Sequence, residues 1–502
     1  MTLFNMAAYS VGHVYNDFWA TWWFMYLLYF LTYPIGLGAS KASFALLSGQ
    51  IADGLATVTV GFLIDKTNKK WSIGQKPWYI AGVVLVIPTF LLTFNTWVLW
   101  DIVCGSESQR WSRNSLEGIK LFYYLLLPAL FNVGWAAVQI ATMSVVVNIT
   151  RDQDRRDRLV SLRIGFSYIS NLFTLIVAII LIEFIDDPIK VFRTLALIIT
   201  GIGLWTCLIY IFGLPEARLR KQAEDIDNLS TINETIETEH SASAGSESGS
   251  LGKVQKTLLF RFNFGKNFTP SCSFWINSYL DAELEDNCDD ITWKTWWKST
   301  VFYVYGAVYT FARMAVNVTM SLTPFYLIKV LKFEGSCSKP TPAQIVAVPL
   351  ASYATSIIFS IWFYNRVLKM FGNRQVPLLI GTLLTWASSI PFSFMTPSFS
   401  WFVYIAVSIQ GVGLSMMLNI ATSFISDLVG KNDKSSAFVY GTYSLFDKFV
   451  NGILLVIIGN TIIEDPVWLR CLASILPTGS ALATFCLTYI GNKYYWNKLQ
   501  AI

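Results

Sequence analysis

Long apolar stretches recur along the chain and limit its fold more than any other feature. A helix that crosses a membrane needs about 20 mainly apolar residues, and backbone groups in lipid must be hydrogen-bonded within the protein. The pattern therefore predicts an all-α membrane protein with twelve transmembrane helices in two six-helix bundles. The stretches lie near 6–33, 43–64, 78–100, 119–149, 159–184, 191–213, 299–328, 343–369, 375–396, 399–427, 436–462 and 467–490.

Composition excludes a soluble globular protein. Charged residues make up 14% of the chain and apolar residues 54%, whereas ordinary soluble domains carry about 25% charged residues. The seven cysteines show no CxxC or metal-ligand spacing, and only His13 of the two histidines lies in an apolar stretch, so neither a zinc site nor a bis-histidine haem is expected. The first basic residue is Lys41, which argues against a cleavable signal peptide. We expect no enzyme activity, cofactor, metal or nucleic-acid partner.

A polar segment at 214–298 divides the chain into predicted bundles at 1–213 and 299–502. Its first part, "EDIDNLSTINETIETEHSASAGSESGS", has the composition of a disordered linker. Its later, aromatic part fits either an amphipathic helix at the membrane interface or a simple lead-in to the seventh helix. Lys and Arg favour the even-numbered loops, which places those loops, the linker and both termini in the cytoplasm.

Ionisable residues inside apolar stretches are costly and indicate function by default. In the first helix, His13 and Asp17 are four residues apart and share a face. They either share a proton or only satisfy each other's hydrogen bonds. In the second helix, Gln50, Asp53 and Thr57 form one polar stripe. This stripe suits a proton or a small hard cation, and a polar seam between helices is the alternative.

The eleventh helix carries adjacent opposite charges, Asp447 and Lys448. Neighbouring positions on a helix point about 100 degrees apart, so the two side chains cannot face one cavity. We predict that Lys448 faces the cavity, with Asn451 on its side, and that Asp447 pairs within its own bundle; the reverse assignment remains open. The other cavity candidates are Arg313 and Asn317 on the seventh helix and, with a weaker signal, Gln139 and Asn132 on the fourth.

The stretch "GFLIDKTNKKWSIGQKPW" after the second helix carries a resemblance to a known family. Its Gly-x-x-x-Asp-Lys pattern resembles the signature loop of the major facilitator superfamily. The continuation "GQKPW" is similar to the glycoside-pentoside-hexuronide cation symporter branch, which is melibiose permease-like. The resemblance implies a gating loop that holds the two bundles in one facing state. The residues of that loop are Gly61, Asp65, Lys66, Lys69 and Lys70.

The resemblance also implies roles for single residues. Asp17 lies where the family has a substrate-binding carboxylate, Asp53 where it has a cation-binding carboxylate, and Lys448 where it has a lysine on the eleventh helix. The family's second cation carboxylate is Thr57 here, and its fourth-helix carboxylate is Gln139. These two departures favour a proton, or no coupling ion, over sodium.

These residues together predict a secondary active transporter that moves a small polar organic solute through the bilayer by alternating access. Asp17, Lys448 and Arg313 offer both signs of charge, which suits a zwitterionic amino acid; a cation-coupled sugar symporter is the alternative. Stretches such as "SSAFVYGTYSLFDKFVNG" resemble animal carriers of lysosomes and related organelles that are implicated in cysteine import. The resemblance therefore implies cysteine and such a membrane, with the plasma membrane as the alternative. A non-transporting scaffold or sensor that keeps the fold is the rival from another class.

Overall fold

The computed structural model consists of helices and their connections. It describes residues 2–71, 74–95, 113–150, 153–223, 225, 293–333, 342–429, 433–461, 463 and 465–493. The α-helices before the central segment are α1 Leu3–Val11, α2 Val14–Thr32, α3 Ala39–Trp71, α4 Lys76–Phe94, α5 Arg113–Ile149, α6 Gln153–Phe184 and α7 Pro188–Gly213. Those after it are α8 Trp293–Lys298, α9 Thr300–Lys329, α10 Gln344–Ile358, α11 Tyr364–Phe371, α12 Gln375–Ser389, α13 Phe402–Val429, α14 Asp433–Thr461 and α15 Pro466–Gly491.

Ten helical spans in the described residues are long and apolar enough to cross a membrane. They are α3 to α7, α10 with the π-helical turn Phe359–Phe363, and α12 to α15. Large apolar side chains such as Phe184, Trp205, Phe212 and Phe394 are exposed on the outside of the protein, where lipid rather than water can cover them. The prediction of an all-α, multi-pass membrane protein is confirmed, whereas the exact count of twelve stays a prediction.

Two further long elements run between the halves of the molecule. One is α9, and the other is the pair α1 and α2, which we predicted as a single helix at 6–33. Every residue of α2 except Ala20 and Phe24 is buried. Because α2 packs against α9 as well as against α3, α6 and α7 of its own half, its polar residues line the centre of the protein rather than its lipid surface.

The first helix is interrupted at Gly12 and His13. The amide of Gly12 bonds the Tyr9 carbonyl at 3.0 Å, which tightens the last turn of α1. The Gly12 carbonyl accepts a hydrogen bond of 2.8 Å from the Tyr79 hydroxyl of α4. A side chain at Gly12 would overlap the ring of Tyr210, so the close approach of α7 requires glycine there. The break therefore follows from contacts with α4 and α7, and the local sequence does not predict these contacts.

Two bundles form around separate helix pairs and meet along α3 and α14. The pairs α3 with α5 and α4 with α5 organise the first bundle, and α9 with α15 and α12 with α13 organise the second. Between the bundles, α3 packs along α14, α2 along α9 and α6 along α10. A Cβ on Gly54 would overlap Leu445, and one on Gly452 would lie 2.7 Å from Leu47. These glycines let the backbones of α3 and α14 approach closely, and we call this contact the α3–α14 seam.

The two bundles repeat one helix start. Asp187 accepts a hydrogen bond of 2.9 Å from the amide of Ile189 at the start of α7. Asp465 does the same at 2.8 Å for Val467 at the start of α15. In both helices a proline follows the capping aspartate, at a position where its missing N–H costs nothing. The last helix of each bundle therefore begins with the same device.

The structure differs from the sequence prediction at the gating loop. We predicted that the second helix ends near residue 64, but α3 continues to Trp71, so the acidic and basic residues of the predicted loop lie on its last turns. The chain turns at Gly74, whose φ of 84° suits glycine. No neighbour from the described residues lies within 4 Å of a Cβ placed on Gly61, so this glycine serves no close helix contact here. Lys66 is exposed; the side chains of Asp65, Lys69 and Lys70 lie outside the described part.

The structure also differs at the start of the predicted linker. Leu214 and Leu219 are buried, and Glu216 is 4% exposed. The Glu216 carboxylate accepts hydrogen bonds from the amides of Gln75 at 2.7 Å and Lys76 at 3.1 Å, at the start of α4. A carboxylate at a helix amino terminus satisfies amides that have no partner within the helix. The first ten residues of 214–298 thus belong to the first bundle, and 226–292 lie outside the described residues.

We expect peptide tags at either terminus, or inserted within 230–250, to be reachable only from the cytosol. The basic even-numbered loops and an even number of crossings both require this result. The measurement is antibody access in intact cells and again after selective permeabilisation of the plasma membrane. Protection of any one tag from the cytosolic side would overturn the predicted topology.

Candidate functional site

An ion pair in the α3–α14 seam joins the two bundles. The ammonium nitrogen of Lys448 lies 2.5 Å from Oδ2 of Asp53, and both residues are buried. The Thr57 hydroxyl bonds the Asp53 carbonyl at 2.8 Å and lies 3.3 Å from its Oδ1. Gln50, one turn before Asp53, is also buried. The polar stripe of the second helix therefore faces the opposite bundle, and in this structure Lys448 occupies it.

The neighbouring charge, Asp447, is bound within its own bundle. Its Oδ2 accepts a hydrogen bond of 3.2 Å from Nε of Arg313 on α9. Its Oδ1 accepts one of 2.5 Å from the side-chain amide of Asn451. We predicted that Asn451 would face the cavity beside Lys448, but its side chain is fully buried against Asp447. The reason is that residues four apart on a helix also stack, so in this conformation the Asn451 amide is engaged by Asp447.

Asp17 connects α2 to α6 near the break in the first helix. Its Oδ1 lies 3.0 Å from Nδ1 of His13, and its Oδ2 accepts a hydrogen bond of 2.6 Å from the Ser167 hydroxyl. Asp17 also sits in the first turn of α2, where the helix dipole favours a negative charge. One turn further on, Thr21 donates a hydrogen bond of 2.8 Å to Oδ1 of Asn171.

Ser167 and Asn171 were missed by the sequence analysis. They are four residues apart in an apolar stretch, as are Asp17 and Thr21, so one helix turn of spacing on two helices produces two polar contacts. This matched spacing is a feature of the sequence that could have predicted the contacts. It is a weak indication, because single hydroxyls and amides are common in membrane helices as neutral hydrogen-bonding groups.

Arg313 of α9 has nitrogens left for a further partner. Its side chain is 29% exposed, and among the described residues only its Nε has a hydrogen-bond partner. Because α2 packs against α9, the Asp17 carboxylate and the Arg313 guanidinium belong to two helices that face each other between the bundles.

The remaining candidates are less central. The Gln139 side chain accepts a hydrogen bond of 3.1 Å from the indole of Trp135 on its own helix, and Asn132 bonds the Pro128 carbonyl at 2.8 Å. Asn317, one turn after Arg313 on α9, is half-buried. In the described part of the chain, no group of three or more His, Cys, Asp or Glu side chains could hold a metal ion.

One end of the central region is closed by contacts between the bundles. The Tyr26 hydroxyl donates a hydrogen bond of 3.1 Å to the Ile345 carbonyl, and the Ser321 hydroxyl donates one of 3.0 Å to the Phe24 carbonyl. Both contacts lie on the carboxyl-terminal side of Asp17 and Thr21 along α2. The charged groups of the centre are thus covered towards that end of α2.

Residues 15–454 match the family described as Major Facilitator Superfamily. The chain belongs to the major facilitator superfamily. It is similar to Major facilitator superfamily domain-containing protein 12 of Equus caballus, with 26% identity over 478 residues, which cover 91% of this chain and 85% of that protein. It is also similar to an uncharacterized symporter of Synechocystis sp., with 21% identity over 463 residues, which cover 87% and 81%.

Solved structures show the same fold. A POT family transporter in complex with a thioalcohol-conjugated peptide has a TM-score of 0.61 at 14% identity, with 97% of this chain and 96% of that chain covered. The expected fold, two bundles of the major facilitator superfamily, is confirmed. Membership of this superfamily makes the protein a membrane transporter of small-molecule solutes and not an enzyme.

We expect Lys448→Ala to lower the free energy of unfolding by about 3 to 5 kcal/mol, because it leaves Asp53 charged and buried without a partner. Replacing both residues, as Lys448→Met with Asp53→Leu, should restore most of the loss, since no buried charge then remains. The measurement is thermal and denaturant unfolding of the purified protein in detergent.

The matched control is Lys41→Met. Lys41 pairs with Glu117 at 2.8 Å, but both side chains are largely exposed, so the change should cost less than about 1 kcal/mol. A loss from Lys448→Ala as small as that of the control, or a double variant no better than the single one, would contradict a buried pair.

Proposed function

We propose that the protein is an alternating-access carrier of a small zwitterionic solute, cysteine or a related amino acid, coupled to a proton. The observation that carries the proposal is a pair of opposite charges on two helices that pack against each other between the bundles, Asp17 on α2 and Arg313 on α9. A zwitterion presents the complementary pair, an ammonium group for the carboxylate and a carboxyl group for the guanidinium. Arg binds carboxylates well because its planar fork matches their two oxygens.

Asp17 can accept an ammonium group by exchanging one partner. The Ser167 hydroxyl donates a hydrogen bond to Oδ2 of Asp17. The hydroxyl can rotate away at little cost, because only one hydrogen bond is lost. Arg313 uses Nε for Asp447 and has its terminal nitrogens left for a solute. The two bundles would each contribute one charge, so the bound solute would bridge them.

Asp53 is the proposed site of proton coupling. It is paired with Lys448 across the α3–α14 seam, with Gln50 and Thr57 on the same stripe. A proton on Asp53 would cancel its charge and release Lys448 from it. Lys448 would then be able to meet the carboxyl group of the solute, as the sequence predicts. The lack of a second carboxylate on this stripe supports a proton rather than sodium.

Further parts of the proposal rest on resemblance. The signature stretch at 61–78, which begins on the last turns of α3 and ends at the start of α4, supports membership of the glycoside-pentoside-hexuronide cation symporter branch. The carboxyl-terminal turns of α3, with Asp65, Lys66, Lys69 and Lys70, would latch the bundles on the cytoplasmic side. Similarity to carriers of lysosomes and related organelles supports such a membrane as the location. A cation-coupled sugar symporter is the competing solute assignment, and the next experiment separates the two.

We expect Asp17→Ala and Arg313→Ala each to weaken cysteine binding severely, because each leaves one solute charge without its partner. Loss of one member of a desolvated charge pair typically costs about 3 to 5 kcal/mol. The methyl ester of cysteine should depend on Asp17 and lose most of its dependence on Arg313. The measurement is calorimetric titration of the purified protein with cysteine, its methyl ester and a disaccharide.

Lys41→Ala is the matched control in this titration, since Lys41 lies at an exposed helix end and should leave binding unchanged. Tight disaccharide binding without a response to cysteine would replace the amino-acid assignment with the sugar symporter. Failure of every solute to bind or to be taken up into proteoliposomes would favour the scaffold or sensor.

We expect Asp53→Asn to abolish accumulation of solute against its gradient while solute exchange continues. The asparagine cannot ionise, so the proton gradient loses its point of action, whereas exchange needs only the solute site. The measurement compares pH-driven uptake with counterflow in proteoliposomes, using protein whose folding has been checked. Uphill transport retained in this variant would place the coupling group elsewhere.

A further inference from the structure

Among the described residues, three carboxylates are buried in the centre of the protein, and their partners differ. Asp53 is paired with Lys448 and Asp447 with Arg313, and the unperturbed pKa values of lysine and arginine side chains lie far above neutral pH. Asp17 is paired with His13. Histidine is the one side chain whose unperturbed pKa puts its change of charge between about pH 5 and 8. The pair at Asp17 is therefore the one whose basic side chain is of a type that gains and loses its proton near neutral pH.

Hydrogen bonding identifies the nitrogen of His13 that would take the proton. Nδ1 lies 3.0 Å from Oδ1 of Asp17, and an ionised carboxylate can only accept hydrogen bonds. The other oxygen of Asp17 already accepts from Ser167, so both oxygens act as acceptors. The hydrogen of the neutral imidazole therefore sits on Nδ1, and Nε2 carries the lone pair.

Nε2 of His13 is a buried nitrogen with a free lone pair. The residue is 7% exposed, and Nε2 has no hydrogen-bond partner among the described residues. Nε2 is therefore free to take a proton, and a proton there makes the ring positive and converts the contact of Nδ1 with Asp17 into a salt bridge. The interruption of the first helix holds His13 at the position that precedes α2, directly over Asp17.

We propose that Nε2 of His13 is a proton-binding site, separate from Asp53, with Asp17 as its counter-ion. The step is the addition of one proton to the imidazole, which becomes an imidazolium paired with the carboxylate. Its consequence for transport rests on the proposed function. A proton on His13 neutralises Asp17 towards the solute, so the proton and the solute's ammonium group compete for the same carboxylate.

The helices packed around His13 carry several charged and titratable groups. On α6, the charged residue is Arg163, one turn before Ser167. The helices α3 and α9, which also pack against α2, carry Asp53 and Arg313, each engaged in its own ion pair. The neutral titratable groups of α4 and α7 nearby are Tyr79, Cys207 and Tyr210.

The number of histidines makes a direct test practical. The chain has two, His13 and His240, so the full-length variant His240→Gln, grown with nitrogen-15-labelled histidine, reports His13 alone. Nuclear magnetic resonance of its ring nitrogens in nanodiscs should show the Nδ1–H tautomer at high pH and protonation of both nitrogens as the pH is lowered. An Nε2–H tautomer, or no protonation at any pH at which the protein stays folded, would overturn the proposal.

Two further variants separate the proton site from general damage. In the same background, Asp17→Asn should shift the protonation of His13 to lower pH, because the counter-ion is gone. Ser167→Ala keeps both the imidazole and the carboxylate, so its spectrum should still show protonation of His13. Identical titrations of His13 with and without the Asp17 carboxylate would remove Asp17 as the counter-ion and overturn that part of the assignment.

A binding arm tests the competition. Cysteine affinity should fall towards about tenfold per pH unit on the acid side, because one proton displaces one ammonium group, and His13→Asn should abolish this dependence. The control ligand is 3-mercaptopropionate, which lacks the ammonium group and should show no such fall. Absence of cysteine binding beside a normal histidine titration would sink the proposed solute and uphold the proton site. Unchanged pH dependence in His13→Asn would overturn the competition.

Discussion

Two opposite charges that are neighbours on one helix fix how the central helices lie against one another. Asp447 and Lys448 point in different directions from α14, so one is bound by Arg313 of its own bundle and the other by Asp53 of the opposite bundle. Either charge would be costly to bury alone. Any slide or turn of α14 would break both pairs at once, so α9, α14 and α3 are fixed relative to one another by these contacts.

The sequence was sufficient to predict that these two charges point in different directions, but not to predict all of their contacts. Charges are so scarce in the apolar stretches that Asp53, Asp447, Lys448 and Arg313 stand out, and helix geometry separates the two neighbours. Asn451 lies three residues after Lys448 and four after Asp447, so periodicity allows it to stack on either. Packing, which places the Asn451 amide on the Asp447 carboxylate, decides between them, and a pattern of residues does not contain that information.

Helix ends were harder to predict than helix cores, since their causes lie far away in the chain. The break at Gly12 depends on Tyr79 and Tyr210 of other helices. Glu216 looked like one more acid of a polar segment, yet its partners are backbone amides about 140 residues earlier. Backbone donors have no signature in a sequence, so the boundary of the first bundle could not be placed there in advance.

The seam at Gly54 and Gly452 has a mechanical consequence. When two bodies rock against each other, points on the axis of the motion hardly move, while points at the rim travel farthest. The backbones of α3 and α14 are closest where these glycines lie, and the pair of Asp53 and Lys448 sits in that same line. A rocking motion about the seam has almost no leverage on that pair. Rocking about this line alone would therefore leave the pair intact, whereas a slide of α14 along α3 would separate its two charges.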